Sequence, residues 1–326
     1  MKRLVEIVRS FAGRRIVVIG DAIADQFVYG NISRVSREAP VFILRHEQTT
    51  TVPGGAANCA MNLAALGARV SLVAAVGADE AGKELRAKLE SAGVDVGGVI
   101  VSEKIQTTTK VRILAGQSHS NRQQVIRIDY EGNSVDHGEL ITKALTENLT
   151  SAEALIISDY NYGVIDHRVI DLIRELTNKP VLVDSRFRLS ELTGFTAATP
   201  NEDEVEHLIG DSITSTDQLE TAAKTLKEKL NHEALLVTRG AQGMMLLAND
   251  ATPLHIPAVG SQQSIDVTGA GDTVIATFAL AVASDASFAD AAHLANYAGG
   301  LVVMKRGTAS ITAAELEHSI LNSEND

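Results

Sequence analysis

One cysteine, no tryptophan, six prolines and fewer basic than acidic residues set the first limits on this 326-residue chain. The lone thiol, Cys59, can form neither an internal disulfide nor a thiolate metal cluster, so a reducing, cytoplasmic setting is expected. Within Ala57-Asn58-Cys59-Ala60-Met61 it reads as a small apolar filler. The 29 basic against 41 acidic residues leave a net charge of −12. That disfavours nucleic acid and membrane surfaces as partners, while small anions remain open to local basic groups. The longest apolar stretches, 274–283 and 294–304, are too short or too interrupted to span a bilayer. The opening MKRLVEIVRSFAGRR spreads charges through its apolar positions and has no small-residue cleavage site, unlike a secretory signal. Internal repeats, low-complexity tracts and long linkers are also missing.

What is present can bury a large core: 45% of the residues are hydrophobic. Short apolar runs at 15–20, 69–77, 154–158, 180–184, 234–238 and 243–247 predict strands. Helical patterns fall between or after them at 54–67, 79–92, 166–177, 201–209, 216–230, 273–283 and 288–305. Such alternation predicts an α/β fold with a mainly parallel sheet covered on both faces, in one domain over 1–326. Two stretches break the rhythm, approximately 26–51 and 107–129, with period-two strands and no helix beside them. They predict a small protruding β-sheet, a lid whose uncovered face needs a ligand or a second subunit.

The most informative stretch is Asp266-Val-Thr-Gly-Ala-Gly-Asp272, at the start of an apolar helix. Glycines there let backbone N–H groups converge at a positive helix end, which suits an anion. Asp272 would repel that anion unless it takes a proton from an attacking hydroxyl, and phosphoryl transfer to an alcohol needs that combination. A Gly-rich turn with an acid in the first helical turn fits the same spacing.

Other motifs surround it. Gly20-Asp-Ala-Ile-Ala-Asp25 lacks the dinucleotide spacing GxGxxG, but puts Asp21 and Asp25 at the carboxyl end of a strand, where open sheets bind ligands. Pro53-Gly54-Gly55-Ala56-Ala57-Asn58 lets backbone approach a ligand that the Asn58 amide could contact. In Thr199-Pro-Asn-Glu-Asp-Glu204, Thr199 reads as the N-cap, Pro200 as the first helical residue and Glu202 as the partner in a capping box. Asn201 and Glu204 then share a face that could hold water around magnesium, or merely face solvent. Thr238-Arg-Gly240-Ala-Gln-Gly243 fits a nucleotide wall or a plain β-turn. Arg34, Arg37, Lys110, Arg112, Arg122 and Arg127 gather in the lid segments, where two or three could hold an anion.

Together these residues resemble the ribokinase-like (PfkB) family of carbohydrate kinases over nearly the whole chain. The resemblance is carried by Gly54-Gly55 with Asn58 and by Asp266-x-Thr-Gly-Ala-Gly-Asp272. It implies a three-layer α/β/α domain with a β lid, ATP as donor and Mg²⁺. It also implies Asp272 as base, with the amides of Gly269, Ala270 and Gly271 holding the transferred charge. Asn201 and Glu204 would influence magnesium, Thr238, Gly240 and Gly243 would lie near the nucleotide, and Asp25, beside Asp21, would meet a sugar hydroxyl. Arg34, Arg112, Arg122 and Arg127 would reach the substrate. Asp266, Thr268, Gly307 and Ser310 would match a site for a potassium-like ion. Apart from the resemblance, the exposed strand faces of the two lid segments predict a homodimer in which an identical partner covers them.

Within the family, the pattern is similar to the kinase domains of bacterial heptose-7-phosphate kinases/ADP-heptose synthases. Ser33-Arg-Val-Ser-Arg-Glu-Ala-Pro40, Gln123-Gln-Val-Ile-Arg127 and Ser158-Asp-Tyr160 carry that likeness. It implies the anomeric hydroxyl of D-glycero-D-manno-heptose 7-phosphate as acceptor. Three departures leave another sugar, sugar phosphate or nucleoside as alternatives: Arg37 for proline, Asn161-Tyr162-Gly163 for Ala-Lys-Gly, and Asp184-Ser185-Arg186 for Asp-Pro-Lys. A non-catalytic sugar or nucleotide sensor is a further alternative, disfavoured by the retained Asp272. With no His-x-Gly-His motif in the sequence, any nucleotidyl-transfer step is expected from another protein.

Overall fold

The computed structural model describes residues 1–326 except 117–121, 133–136, 177, 249–251, 261–264, 306 and 324–326. Part of the second lid stretch (117–121), the expected helix end at Thr177 and the last tail residues therefore lie outside the described residues.

Helix α1 (Lys2–Arg9) leads into β1 (Arg15–Gly20), and Asp21 joins that strand to β2 (Ala22–Val35). The chain returns along β3 (Phe42–Gly55) into α2 (Ala56–Ala65), β4 (Arg69–Gly77), α3 (Glu80–Ser91) and β5 (Val99–Ser102). Next come β6 (Thr109–Gly116), β7 (Gln123–Tyr130), α4 (Gly138–Leu149), β8 (Ala154–Asp159), α5 (His167–Leu176), β9 (Val181–Ser185) and β10 (Ala197–Ala198). The remainder is α6 (Glu202–Ile209), α7 (Thr216–Leu230), β11 (Ala234–Thr238), β12 (Met244–Ala248), β13 (Leu254–Ile256), α8 (Ala270–Ala283), α9 (Phe288–Val302) and α10 (Ala313–Asn322).

Nine strands form one sheet in the order β13-β12-β11-β10-β9-β8-β1-β4-β5, parallel except where β12 meets its two neighbours. Side-chain alternation divides the core. Ile16 and Val18 of β1 join α1, α2, α3, α8, α9 and α10 on one face. Val17 and Ile19 join α4, α5, α6 and α7 on the other. Burial on both faces explains why these strands read as unbroken apolar runs. It also explains α8, apolar nearly all round because it packs between the sheet, α2 and α9. β1 has β4 on one side and β8 on the other, so the chain leaves it in opposite directions. A crevice opens at the carboxyl ends of strands flanking such a reversal.

The second sheet has the order β3-β2-β6-β7. Its β2–β3 and β6–β7 pairs are antiparallel, while β2–β6 is parallel. Register sorts its two faces. Asp25, Lys110 and Asp129 are aligned, as are Phe27, Arg112 and Arg127, which makes one face charged and aromatic. Val28, Ile113 and Ile126 are aligned on the other face, as are Val111 and Ile128.

Several boundaries differ from the sequence reading. Pairing of β2 with β3 continues down to Ala22 opposite Gly55, so the two glycines finish a strand and α2 starts at Ala56. Gly55 has φ +56°, which lets the chain turn there. Helices α1, α4 and α10 and strands β5, β10 and β13 are additional elements; the strands are short and take their place from neighbours rather than from a pattern of their own.

Candidate active site

Strand β1 delivers Asp21 to the reversal point, and the fold uses that carboxylate on itself. Its Oδ2 accepts from the backbone N–H groups of Tyr160 (2.8 Å) and Tyr162 (3.1 Å), and Oδ1 from Val164 (3.3 Å). Asp21 thus fixes the loop after β8. The acceptors expected to meet a sugar are turned here to backbone donors. Burial, with the charge of Asp159 adding to it, raises its pKa to about 6 against those hydrogen bonds.

The same loop presents Tyr160 to Asp272 in the first turn of α8. The Tyr160 hydroxyl donates to Oδ1 of Asp272 (3.1 Å), and Nδ2 of Asn58 donates to Oδ2 (2.7 Å). Behind Asn58, the Asn62 amide donates to the Asn58 carbonyl (2.9 Å) and to Asn58 Oδ1 (3.2 Å). The Thr273 hydroxyl completes the chain by donating to Asn62 Oδ1 (2.9 Å). A run of buried polar groups therefore holds one carboxylate between α2, α8 and the loop after β8. Asp272 is only 3% exposed, and burial pushes its pKa up to about 6 although Asn58 and Tyr160 pull it down. A carboxyl so tuned is ionised at neutral pH yet basic enough to accept a proton.

Gly269 caps α8 with φ +78°, and a β-carbon there would stand 2.5 Å from Asn58 Nδ2. Both the turn and the Asn58–Asp272 contact require glycine. Of the three amides expected to face an anion, that of Ala270 is already used, donating to the Val267 carbonyl at 3.2 Å. Among the described residues none accepts from the N–H of Gly269, Gly271 or Asp272. The open pair inside the first turn is therefore Gly271 and Asp272, the usual orphan donors of a helix N-terminus.

Asp266 buttresses this turn. Its Oδ1 accepts from Thr268 N (2.9 Å) and its Oδ2 from Gly307 N (3.0 Å). Burial works upward on it, but those donors outweigh it and hold the carboxyl below its ordinary range. Ser310 departs from expectation: its carbonyl accepts from Lys305 Nζ (2.8 Å), which also pairs with Glu315. A tethered ammonium already stands at one of the four positions expected to serve a potassium-like ion.

Beside Gly271 an apolar cavity of about 200 Å³ is lined by Thr238, Gly240, Gly243 and Gly271, with Val259, Asn296, Gly299 and Val303 among its other walls. The first four were legible in the sequence; the α9 and 258–259 walls were not, since nothing but packing brings them there. At Gly243, φ +89° and an imagined β-carbon 2.0 Å from the Ile256 carbonyl explain the residue type.

The start of α6 corrects the sequence reading. Asn201, not Thr199, is the N-cap: its Oδ1 accepts from Glu204 N (2.8 Å), and Glu204 returns a contact to Asn201 N (2.9 Å). The box falls two residues later because Pro200 stays in the extended link, its carbonyl accepting from Thr238 N (2.9 Å). Glu202 instead takes Arg239 (2.7 Å). Capping thus accounts for Asn201 and Glu204. Burial raises the Glu204 pKa while the Asn201 N–H and Arg186 lower it; burial first, then the charges of Asp272 and Glu204, push Asp184 well above the carboxylate range.

From the other side, the charged face of the small sheet supplies Asp25, whose Oδ1 accepts from Arg112 (3.2 Å) and whose Oδ2 lies against Gly54. Arg127 pairs with Asp129 on the same face (2.9 Å). Arg122 pairs with Glu47 and stacks on Tyr29, further along the sheet. Arg34 is exposed toward the far end of β2 without a partner among the described residues, and the fold does not bring it to the cleft.

A model of the pfkB family of carbohydrate kinases matches residues 14–314. The chain belongs to that family. The kinase is 42% identical over 320 residues to the bifunctional protein HldE of Caulobacter vibrioides, covering 96% of this chain and 65% of that protein. It is also 42% identical over 314 residues to HldE of Photobacterium profundum, covering 95% and 64%. The chain thus spans just under two thirds of the length of these relatives. Among solved structures it is similar to Arabidopsis thaliana ribokinase complexed with ribose and ATP (24% identity, TM-score 0.72, 95% of this chain and 98% of that one). It is similar too to Escherichia coli phosphofructokinase-2 in complex with potassium (20% identity, TM-score 0.78, 95% and 99%). These likenesses establish the ribokinase-like α/β fold with its small second sheet, and the family makes the chain a phosphotransferase acting on a sugar hydroxyl.

Proposed function

We propose that this kinase moves the γ-phosphoryl group of ATP to the anomeric hydroxyl of D-glycero-D-manno-heptose 7-phosphate. The observation that carries the reading is the placing of Asp272: a carboxylate of raised pKa, gripped by Asn58 and Tyr160, beside the unpaired amides of Gly271 and Asp272. The adenine side of ATP fits the slot by Thr238, Gly240 and Gly243. The acceptor lies under the charged face of the small sheet, near Asp25, Gly54, Gly55 and Asn58. As its hydroxyl oxygen bonds to the γ-phosphorus, Asp272 takes the proton, the bond from that phosphorus to the bridging oxygen breaks, and ADP leaves. The Gly271 and Asp272 amides and the α8 dipole receive the phosphoryl oxygens.

Mg²⁺ would complete this site by neutralising phosphate charge. Mutually repelling Asp184, Asp272 and Glu204 give the cleft a field that suits a cation. Among the described residues no three His, Cys, Asp or Glu side chains stand close enough to hold a metal directly. Asn201 and Glu204 would therefore act through water, as magnesium commonly allows. The set proposed for potassium fits less well, because Lys305 occupies the Ser310 carbonyl, and no step is drawn through that ion.

Two further readings belong here. The apolar face of the small sheet, with Ile126 55% and Ile128 40% exposed, supports a homodimer in which a second copy covers it. The absence of any described helix long and apolar enough to cross a membrane is compatible with a cytoplasmic enzyme. A coupled ADP-release assay over heptose 7-phosphate, free heptoses, hexose phosphates and nucleosides tests the function. Turnover greatest on the heptose phosphate supports it. Preference for an unphosphorylated sugar or nucleoside would move the assignment to that acceptor, and ligand binding without ADP release on any acceptor would favour a sensor.

A further inference from the structure

Two cations in the cleft have no bonded partner. Lys110, on β6, makes neither a hydrogen bond nor an ion pair with any described residue; its ammonium stands 5.5 Å from the ring centre of Tyr160 and 6.0 Å from that of Tyr162. Arg186, just past β9, stacks on Phe187 and likewise lacks an ion-pair partner among the described residues. With Arg127 they line one cavity of about 570 Å³, together with Tyr160, Tyr162, Asp129 and Glu131. The two acids are already engaged: Asp129 by Arg127, and Glu131 by the Tyr162 hydroxyl (3.2 Å). Lys110 is half-buried; the charges of Asp25 and Asp129 act on it most, and those of Arg127 and Arg186 oppose them less strongly. Three cations, from two lid strands and the loop after β9, face two engaged carboxylates in this lining, which leaves a net positive charge that an entering anion would neutralise.

The cavity has a fixed place relative to the chemistry. Tyr160 lines it and also donates to Asp272, while Gly271, next to Asp272, lines the slot on the nucleotide side. A molecule with its reacting hydroxyl at Asp272 and its far end in this cavity would be approached by the phosphoryl donor from the other side.

We infer that this cavity is the subsite for the acceptor's remote phosphate, with Lys110 and Arg186 as its specificity-determining residues and Arg127 as an auxiliary contact. This rests on the proposed kinase reading and deepens it. Lys110 lies in the small sheet and Arg186 directly after β9 of the large one, so a phosphate between them ties the lid to the core. Binding of the remote group then helps hold the reacting hydroxyl against the base.

The test compares wild type with Lys110→Met and Arg186→Gln, and with the charge-keeping Arg186→Lys. Steady-state kinetics are measured on heptose 7-phosphate and on the same heptose without phosphate. Inorganic phosphate is titrated calorimetrically into each protein as a probe independent of turnover. The expected result is a fall of about 10–100-fold in the kcat/KM ratio of phosphorylated to free sugar in Lys110→Met and Arg186→Gln, the range for a lost charge-assisted contact. The KM for ATP stays within twofold, inorganic phosphate binding weakens in parallel, and Arg186→Lys recovers most of the ratio. An unchanged ratio with unchanged phosphate binding in both neutral variants overturns the subsite. Loss of phosphate binding in those variants, with no turnover of either sugar by wild type, would uphold the anion site while sinking the kinase reading.

Discussion

The hydroxyl of Tyr160 donates to one carboxylate oxygen of Asp272 while the amide of Asn58 donates to the other. Both contacts favour the ionised acid, and both oppose the larger effect of burial. Tyr160 is thus a positioning residue for the base. Tyr160→Phe removes one donor, so the Asp272 pKa rises further. The acid limb of the kcat/KM profile should move up by about one unit, with kcat at pH 7 reduced several-fold and KM for ATP little changed. A pH–rate profile from 5 to 9 checks this; coincident profiles would mean that the hydroxyl does not hold the base in solution.

Asp272→Asn removes the base and should lower kcat by about 10²–10⁴. The same change should stabilise the fold at neutral pH. The folded-state pKa of about 6 lies above the ordinary 3.8, so the folded protein binds its proton more tightly than the unfolded chain. Stability from this group is complete below 3.8 and lost as pH rises through 6. The asparagine variant escapes that loss, gaining on the order of 1–3 kcal/mol at pH 7.5 and nothing near pH 3.5. Urea unfolding of both proteins at the two pH values measures the difference.

Gly269 and Gly271 should respond differently to alanine. At Gly269 the positive φ and the 2.5 Å approach to Asn58 predict a loss of about 1–3 kcal/mol together with reduced kcat, because the Asn58 amide must move. At Gly271 the backbone is helical, and an added β-carbon would lie an ordinary 4.0 Å from Asp184. Thermal melts should place Gly271→Ala within about a degree of wild type or above it, since alanine is the better helix former.

The apolar lid face should govern assembly. Replacing Ile126 and Ile128 together by glutamate puts two charges on the surface proposed to bury against a second copy. Sedimentation equilibrium at micromolar concentration should give the mass of one chain for the variant and two for wild type. A wild-type mass of one chain would remove the dimer from the proposal.

Much of the kinase was readable before any coordinates. Runs such as Arg15–Gly20 and Arg69–Gly77 declared buried parallel strands because burial on two faces leaves no polar positions to confuse the pattern. Asp272 stands out since two acids and two glycines fall within seven consecutive residues at the start of an apolar helix, so local sequence carries the device. The N-cap of α6 was placed two residues early, because Thr199-Pro200 mimics a helix start and only the Pro200–Thr238 contact keeps that segment extended. Beta strands of a few residues, such as β10, have no period to detect.

The order of residues therefore determined the α/β class and the family and singled out Asp272 as the base proposed here, since each is written in contiguous patterns of apolarity, glycine and charge. Tertiary structure alone decided which partners each polar side chain meets. Asp21 was drawn to backbone donors at 160–164, Thr273 of α8 was brought to Asn62 of α2, and Lys110 of β6 and Arg186 after β9 were brought to one cavity. Their partners lie on other elements, in several cases more than a hundred residues away, and hydrogen bonds and ion pairs act across space irrespective of that separation.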